Sequence, residues 1–419
     1  MAQEHTVLII GGGIIGLCTA RYLRQDGHRV VLVERGAPDH DACSCGNAGM
    51  VVPSHFVPLA APGIPAYALR MMLRPDSPFG LRLRPRPDLF RWGMAFLKAS
   101  RHNHVARAAP LLRDLSLRSR QLYIELAQQE GNAFGLTRKG LLTLCRTEHA
   151  LRHERELATQ AQQLGLDAEV LSPEEVARLE PGLHTRVAGA VLFPQDCHLQ
   201  PEALVTTLTR RLQACGVTFL WSTEVTGWQT VRDRVQAIRT SQGLLEADAF
   251  VLAGGVWSAQ HNAALGLHLL LQAGKGYSLT LPHPPQRPER CVILTEARVA
   301  VTPMGQSLRF GGTMEIAGLD ASVNTRRVQG LIRSIPRYFP AFTPEHFQHI
   351  PTWTGLRPCS PDGLPYIGRT RRYANLYVAT GHAMLGVSLA PVTGQILADL
   401  LADRPPCCDL TLLSPDRFA

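Results

Sequence analysis

The sequence predicts an α/β fold: a domain built on a parallel sheet, discontinuous along the chain, carrying an inserted cap of mixed sheet and helices. Three observations predict it. At 419 residues the chain exceeds the size over which one hydrophobic core keeps growing, so two closely joined domains are expected. Residues 6–34 read strand, glycine turn, helix, strand. Strand-like and helix-like segments then alternate to the C-terminus, with no internal repeat and no low-complexity linker.

Thr6 to Ile10 is a continuous apolar run suited to a buried parallel strand, and Gly11-Gly12-Gly13 breaks it. Ile14, Leu17, Cys18 and Tyr22 then recur at helical spacing up to Asp26, and Gly27 ends that helix. Arg29 to Glu34 forms the second strand. From Pro110 to Gly165 long Leu/Ala/Arg/Gln stretches carry a helical period, interrupted by Gly131 and a hairpin-like Gly140–Leu144. Ser172 as N-cap and Pro173 at the first position open another helix, and Pro201 to Cys215 is a third. Strands are expected at Val217–Leu220, Glu224–Trp228, Val235–Ile238, Phe250–Ala253, Tyr277–Thr280, Val299–Val301 and Leu308–Phe310. Leu376 to Leu401 reads as strand, glycine loop and helix. The resulting division gives the parallel-sheet domain residues 1–60, 171–265 and 346–419. The helical cap and first part of the substrate domain take 61–170, and the substrate-domain strands 266–345.

Apolar residues make up 45% and charged residues 18%, a balance that speaks against disorder or a fibrous architecture. No stretch approaches ~20 consecutive apolar residues, so no transmembrane helix is expected. Met1-Ala2-Gln3-Glu4-His5 lacks a basic leader region and runs directly into a strand, so no secretory signal and a cytoplasmic location are expected. The ten cysteines show no small-scaffold spacing and are expected as thiols; Cys43/Cys45 and Cys407/Cys408 lack a second Cys/His pair at zinc spacing, so no metal site is expected. The net charge of +9 is uneven. Ile64 to Arg107 holds nine Lys/Arg (Arg70, Arg74, Arg82, Arg84, Arg86, Arg91, Lys98, Arg101, Arg107) against Asp76 and Asp88, interleaved with Tyr67, Leu69, Met71-Met72-Leu73, Phe90, Trp92, Met94 and Phe96-Leu97. This mixture suits peripheral contact with anionic lipid at the inner face of the cell membrane; a solvated basic face over inward-packed helices fits it equally. No recognition motif for nucleic acid accompanies it.

Gly11-x-Gly13-x-x-Gly16 follows a strand and opens a helix, the context in which this pattern binds a dinucleotide. Gly11 permits the tight turn, Gly13 lets backbone approach a pyrophosphate, and Gly16 lets helix and strand pack closely. The helix start offers free N–H groups and a positive dipole end. Glu34 closes the second strand, where an acid binds the hydroxyls of an adenosine ribose. This Rossmann-type unit alone does not separate NAD from FAD.

Five later segments extend the reading. They are Cys45-Gly46-Asn47-Ala48-Gly49-Met50-Val51-Val52-Pro53, Val251-Leu252-Ala253-Gly254-Gly255-Val256-Trp257-Ser258, Trp353-Thr354-Gly355-Leu356-Arg357-Pro358, Pro361 to Gly368, and Gly381-His382-Ala383-Met384-Leu385-Gly386-Val387. In this order they resemble the D-amino acid dehydrogenase and glycine/sarcosine oxidase family of FAD-dependent oxidoreductases over nearly the whole chain, closest to the D-amino acid dehydrogenase branch. The resemblance implies non-covalent FAD, with Ile15, Arg35 and Val225 joining Gly11, Gly13, Gly16 and Glu34 at the adenosine diphosphate half. It places Asn47, Ala48, Gly49 and Met50 by the isoalloxazine, and Ala253, Gly254 and Trp257 near the pyrophosphate. Gly355, Gly381, His382, Leu385, Gly386 and Val387 would serve the pyrimidine end, where N–H groups at a helix start stabilise the negative charge of a reduced flavin.

The family pattern makes Arg357 the anchor of a substrate carboxylate, because guanidinium binds carboxylate bidentately and so fixes the α-hydrogen in space; a surface ion pair is the alternative. The family's second arginine is missing, with Ala383-Met384 in its place. Tyr277 is then a candidate hydroxyl for the substrate, or else a packed core aromatic. His55 is a candidate to border the substrate or take the amine proton, or else structural. Cys359 lies near the right loop for covalent flavin attachment, but nothing in the sequence activates it. Glu315 matches a family segment without an assigned role.

The resemblance implies oxidation of the Cα–N bond of a D-amino or cyclic imino acid by hydride transfer to flavin N5. An imine or keto acid results, and electrons pass to a quinone or partner redox protein. The Ser54–Gly63 stretch resembles branches acting on cyclic imino acids, so cis-4-hydroxy-D-proline is the expected substrate. The rivals are an oxygen-using oxidase of glycine, sarcosine or a D-amino acid, and a non-catalytic flavoprotein subunit of a complex.

Overall fold

A computed structural model describes residues 4–40, 42–72 (Met72 by its backbone only), 77–82 and 84–419. Met1-Ala2-Gln3 of the expected N-terminus, and Leu73, Arg74 and Asp76 of the basic segment, lie outside the described residues.

The first sheet has six strands. Thr6–Ile10 sits at its centre between Ala249–Leu252 and Arg29–Val33, with Leu376–Thr380 and Thr218–Leu220 outside them, all parallel; Tyr366–Arg369 closes one edge antiparallel. Val7, Leu8 and Ile9 are buried, as are Phe250 to Leu252, which is why these strands read as unbroken apolar runs rather than alternating ones. Helix Ile14–Gln25 packs against helix Gly386–Leu401 so closely that a Cβ on Gly394 would lie 2.6 Å from the Cys18 backbone. The segment Ala383–Leu401 is apolar and long enough to cross a bilayer by composition, but 61% of it is buried in this protein core. Helix His102–Gln129 covers its other side, where the Tyr123 hydroxyl donates to the Val387 carbonyl at 2.6 Å. Pro110, expected to start this stretch, lies inside the helix. Its missing N–H deprives the Ala106 carbonyl of a partner, and Ala106 is exposed, so water can serve that carbonyl.

The second sheet is larger. From one edge its order is Trp353–Cys359, Gln272–Leu281, Ser307–Ile316, Val299–Met304, Cys291–Leu294, Leu141–Cys145, Gly189–Phe193 and Glu169–Leu171, with Phe79–Leu81 alongside Ser307–Ile316. Two expected boundaries shift. Gly189–Phe193 pairs with Leu141–Cys145 and Trp353–Cys359 pairs with Gln272–Leu281, so both belong to the second sheet rather than to the parallel-sheet domain. The partner of each strand comes from a distant segment, and partner choice is a long-range property that local sequence signals do not carry. Ser172 forms the expected cap, here a full capping box with Glu175.

One face of the second sheet buries Tyr277, Leu279, Val301 and Phe310 against Phe339, Phe342 and Phe347. The other face turns to the first domain: Arg309 donates to the Cys45 and Asn47 carbonyls at 2.7 and 2.9 Å. The candidate site lies between the two sheets.

Candidate active site

The nucleotide cradle begins at the glycine turn. Gly11 has φ +113°, and a Cβ there would strike the Ala253 carbonyl oxygen at 2.5 Å; a Cβ on Gly16 would strike the Gly11 carbonyl oxygen at 2.0 Å. Both glycines are therefore demanded by backbone contact between the turn, the helix and the neighbouring strand. Gly13 is different, since a Cβ there would meet only Ser44 Oγ at 3.7 Å. The open side of Gly13 is the cradle a diphosphate would fill. Ile15 follows in the first turn of the helix. Glu34 is buried and its carboxylate accepts the Gly12 and Gly36 N–H groups, each at 2.7 Å, which holds it at the end of its strand. Arg35 stacks its guanidinium 3.8 Å over the Trp257 ring, bringing together a residue expected at the adenosine diphosphate half and one expected near the pyrophosphate. Val225 starts the strand Val225–Val231 in a separate three-stranded sheet. Ala253 and Gly254 follow the strand Ala249–Leu252 and adjoin Gly11.

The flavin-side loops are tied to one another. The Asn47 side chain accepts the Gly49 N–H at 2.8 Å, and Met50–Val51 pairs with Cys197–His198. A Cβ on Gly49 would lie 2.1 Å from the Leu199 carbonyl, and Ala48 faces Gly311 of the second sheet. The Trp353 ring lies against Gly46 and Gly355, so neither position admits a side chain without displacing it. The Val52 N–H donates to Ser388 Oγ at 3.1 Å, joining this loop to the helix that Gly386 and Val387 begin. That helix has no side-chain cap, and Leu385 is its N-cap residue.

Gly381 (φ +81°) brings His382 into the core. The Thr393 hydroxyl donates to the Leu389 carbonyl, so it accepts from His382 Nε2–H at 3.0 Å. His382 Nδ1 is left as a buried acceptor with no partner among the described residues, and burial pushes its pKa down to about 3. An orphan acceptor in this loop, an uncapped helix start and the open face of Gly13 all fit FAD. Bound there, it would supply an acceptor for a hydride. Burial pushes the Cys359 thiol up to about 12 against the pull of Arg357, so the thiol is not activated.

Arg357 lies on the face of its strand turned toward the first domain. Its Nη1 donates to the Thr313 carbonyl at 2.9 Å, and its fork packs flat on Gly276, where a Cβ would come within 2.0 Å. No acid pairs with it among the described residues, which rules the surface ion pair out there. Tyr277 is not brought to it. Arg357 pairs in register with Gly274, and alternation sends Tyr277 to the opposite face, into the aromatic core, where it is 1% exposed. The Tyr277 hydroxyl donates to Glu315 at 3.1 Å and accepts the Asn324 N–H at 3.1 Å; burial raises its pKa to about 12. The packed-aromatic alternative is the one realised.

Glu315 gains a role here: it is the counterion of a buried cluster, 3.4 Å from Arg327 Nε and 3.9 Å from Lys275 Nζ. Glu315→Ala is expected to destabilise the fold by about 3 kcal/mol, because the largely enclosed Arg327 loses its acid and the buried Lys275 keeps only Asp320 at 3.7 Å; the shift in urea midpoint measures it.

His55 is half-buried, and no hydrogen bond or ion pair joins it to Arg357. Its Nδ1 meets Ser54 Oγ at 3.2 Å, and that hydroxyl donates in turn to Asp196. With the serine proton committed to Asp196, His55 Nδ1–H is the donor and Nε2 remains an acceptor. Burial, aided by the nearby Arg298 charge, lowers His55 to about 4, and burial raises Asp196 to about 7. The signs oppose. As pH falls from about 7 toward 4 the folded state gains stability from protonating Asp196, while below about 6.5 the unfolded chain gains a proton at His55 that the fold refuses. In the wild type the two trends offset. Asp196→Asn removes the first, so the variant is expected to lose thermal stability between pH 7 and 4.5 more steeply than the wild type, as melting curves across that range would record.

Three residues escaped the sequence reading. Ser44 accepts the Ile14 N–H at 3.1 Å, at the helix start where phosphate would sit. Asp196 fixes Ser54, 142 positions away. Arg298 is exposed, unpaired among the described residues, and lies 5.8 Å from the Tyr67 ring with its charge bearing on His55; only its positive φ of 54° marks it as unusual.

Comparison with known proteins agrees with this geometry. Residues 6–400 match the family model described as DAO, FAD dependent oxidoreductase. The chain is 34% identical over 418 residues to a D-amino acid dehydrogenase of Granulibacter bethesdensis, covering 99% of each chain, and 35% identical over 419 residues to one of Methylobacterium radiotolerans, again covering 99% of each. Among solved structures it is similar to glycine oxidase from Geobacillus kaustophilus, with 25% identity, a TM-score of 0.78 and 99% of both chains covered. An L-proline dehydrogenase from P. horikoshii shares the fold at 19% identity and TM-score 0.73, covering 100% of this chain and 98% of that one. With a dinucleotide turn, an adenosine-side acid and the flavin-side loops all in place, the chain belongs to the DAO family of FAD-dependent oxidoreductases.

Proposed function

We propose that this chain is a dehydrogenase that oxidises the Cα–N bond of a D-amino or cyclic imino acid, with FAD held non-covalently and electrons leaving to a quinone or partner redox protein. One observation carries the reading: Arg357, an arginine without an acid partner among the described residues, is held by the Thr313 carbonyl on the face turned to the first domain. A substrate carboxylate is the partner it lacks. Arg357 then fixes the α-carbon, His55 offers Nε2 to the substrate amine, and Arg298 supplies the second cation that Ala383-Met384 do not. The D-amino acid dehydrogenase names of full-length relatives support the substrate class. FAD supplies the hydride acceptor.

Within that class we favour cis-4-hydroxy-D-proline. The Ser54–Gly63 stretch packs on the C-terminal signature, since a Cβ on Gly363 would lie 2.6 Å from the Leu59 nitrogen, and this supports a role for the stretch in shaping the substrate side. We place the enzyme in the cytoplasm, at the inner face of the cell membrane. The test is anaerobic mixing of the yellow protein with D-, L- and N-methyl amino acids and hydroxyprolines. Bleaching at about 450 nm by the D-imino acid is expected; failure of every D-amino and D-imino acid to reduce the flavin would sink the proposal. The similarity to a glycine oxidase favours a second reading, an oxygen-using enzyme. Stoichiometric peroxide in air would select it, whereas a dehydrogenase turns over mainly with a dye acceptor.

A further inference from the structure

Helix Pro87–Ala99 has two apolar faces. Its inner face buries Leu89 and Trp92, with Phe96 stacked on Trp92 at 5.1 Å, against Met314, Ile316 and Cys359, and with Leu59 and Ala383 alongside. The Trp92 indole donates to the Cys359 carbonyl at 2.9 Å, two residues beyond Arg357. The outer face exposes Phe90 by 71%, Met94 by 54% and Leu97 by 54%. Positions 90, 94 and 97 form one stripe at helical spacing, so this is a continuous ridge and not scattered exposure. Water contact with three large apolar side chains on a rigidly anchored helix is unfavourable, and such ridges mark docking surfaces.

The charges around the ridge say what docks. Arg91 and Lys98 fall on one flank of the stripe, exposed and without an acid partner among the described residues, and Arg101 follows just beyond the helix. Leu69, 67% exposed, and Arg70 repeat the combination on helix Ile64–Met72. Asp88, the acid in the first turn, is engaged by Arg86 and Gln272. Apolar tips beside uncompensated cations complement a surface with anionic headgroups above hydrocarbon. An acidic protein partner would satisfy the cations, but it would not call for a protruding ridge of Phe, Met and Leu.

We propose that the outer face of helix Pro87–Ala99 lies in the interface of an anionic lipid bilayer, with Phe90, Met94 and Leu97 in the acyl boundary and Arg91 and Lys98 on the headgroups. The inner face of the same helix shares one apolar cluster with Ala383 of the flavin-side loop, and Trp92 bonds to the strand of Arg357, so docking would bring the redox site close to the membrane. A lipid-dissolved quinone then has a short path to the site; this last point rests on the dehydrogenase reading above, whereas lipid docking does not.

The test uses the flavin-loaded full chain in co-sedimentation with phosphatidylglycerol/phosphatidylcholine vesicles and with phosphatidylcholine alone. Binding to the anionic vesicles, weakened by salt and reduced at least tenfold in F90S/M94S/L97S, is expected. Arg91→Gln and Lys98→Gln are each expected to weaken it about fivefold. Turnover with a soluble dye should stay unchanged in all three variants, which separates lost docking from lost folding. Equal affinity for neutral and anionic vesicles, no binding to either, or undiminished binding of the triple variant would overturn the proposal. So would a wild-type oligomer that the triple variant dissolves, because the ridge would then be a protein interface. If vesicle binding holds while no amino or imino acid reduces the flavin, the substrate reading fails and the docking surface stands.

Discussion

Arg357→Ala is expected to lower kcat/KM for the amino acid by about 10²- to 10³-fold while leaving the flavin bound. The guanidinium is positioned by one hydrogen bond to the Thr313 carbonyl and by flat contact with Gly276, so its remaining donors are held in place for a ligand. A carboxylate gripped by two charge-assisted hydrogen bonds gains about 1.5–3 kcal/mol from each, and a tenfold change corresponds to about 1.4 kcal/mol. The loss should fall on KM and also on kcat, since the same grip orients the α-hydrogen. Arg357→Lys keeps the charge and loses the fork, so an intermediate loss is expected. Steady-state kinetics with a dye acceptor, alongside the flavin absorbance of each variant, check both. Unchanged KM in Arg357→Ala would show that the substrate carboxylate sits elsewhere.

Gly13→Val is expected to give a folded but colourless protein, with flavin content reduced to roughly a tenth or less. A Cβ at this position meets only Ser44 Oγ at 3.7 Å, so the added side chain does not disturb the helix or the sheet. Its methyl groups would instead occupy the space in which a diphosphate meets the helix start. Gly16→Val should behave differently. Its Cβ would lie 2.0 Å from the Gly11 carbonyl oxygen, and the strand and helix would have to separate. The pair can be told apart by circular dichroism: native-like for Gly13→Val, poorly folded for Gly16→Val.

These outcomes trace to a part of the molecule that local sequence signals describe well. The strand Thr6–Ile10, its glycine turn, the helix after it and Glu34 are all specified by neighbours within residues 6–34, as is the capping box of Ser172 and Glu175 within four. Strand register is a different matter. Tyr277 and Arg357 stand on adjacent strands, and only the pairing of Gly274 with Arg357 shows that they face opposite ways. The counterion role of Glu315 depends on Lys275 and Arg327 arriving from other elements, and the Ser54–Asp196 contact bridges 142 positions. Gly189–Phe193, which falls within residues 171–265, joins the second sheet for the same reason: its partner Leu141–Cys145 lies far off in sequence. Helix Pro87–Ala99 shows the converse, because its excess of apolar residues was visible at once, yet which of its two faces meets protein was not.

The order in which the chain is made has a consequence for how the cofactor is loaded. The first sheet takes its central strand from residues 6–10 and its last parallel strand from 376–380, while the helix beginning at Gly386 packs back onto the helix beginning at Ile14. A nascent polypeptide emerging from the ribosome therefore exposes the diphosphate turn long before it has the residues that enclose the ring system. Pairings of such sequence separation form slowly. Closure of the flavin site therefore waits for the last residues of the sheet, and until Leu376–Thr380 is made the edge of Ala249–Leu252 that it covers stays unpaired.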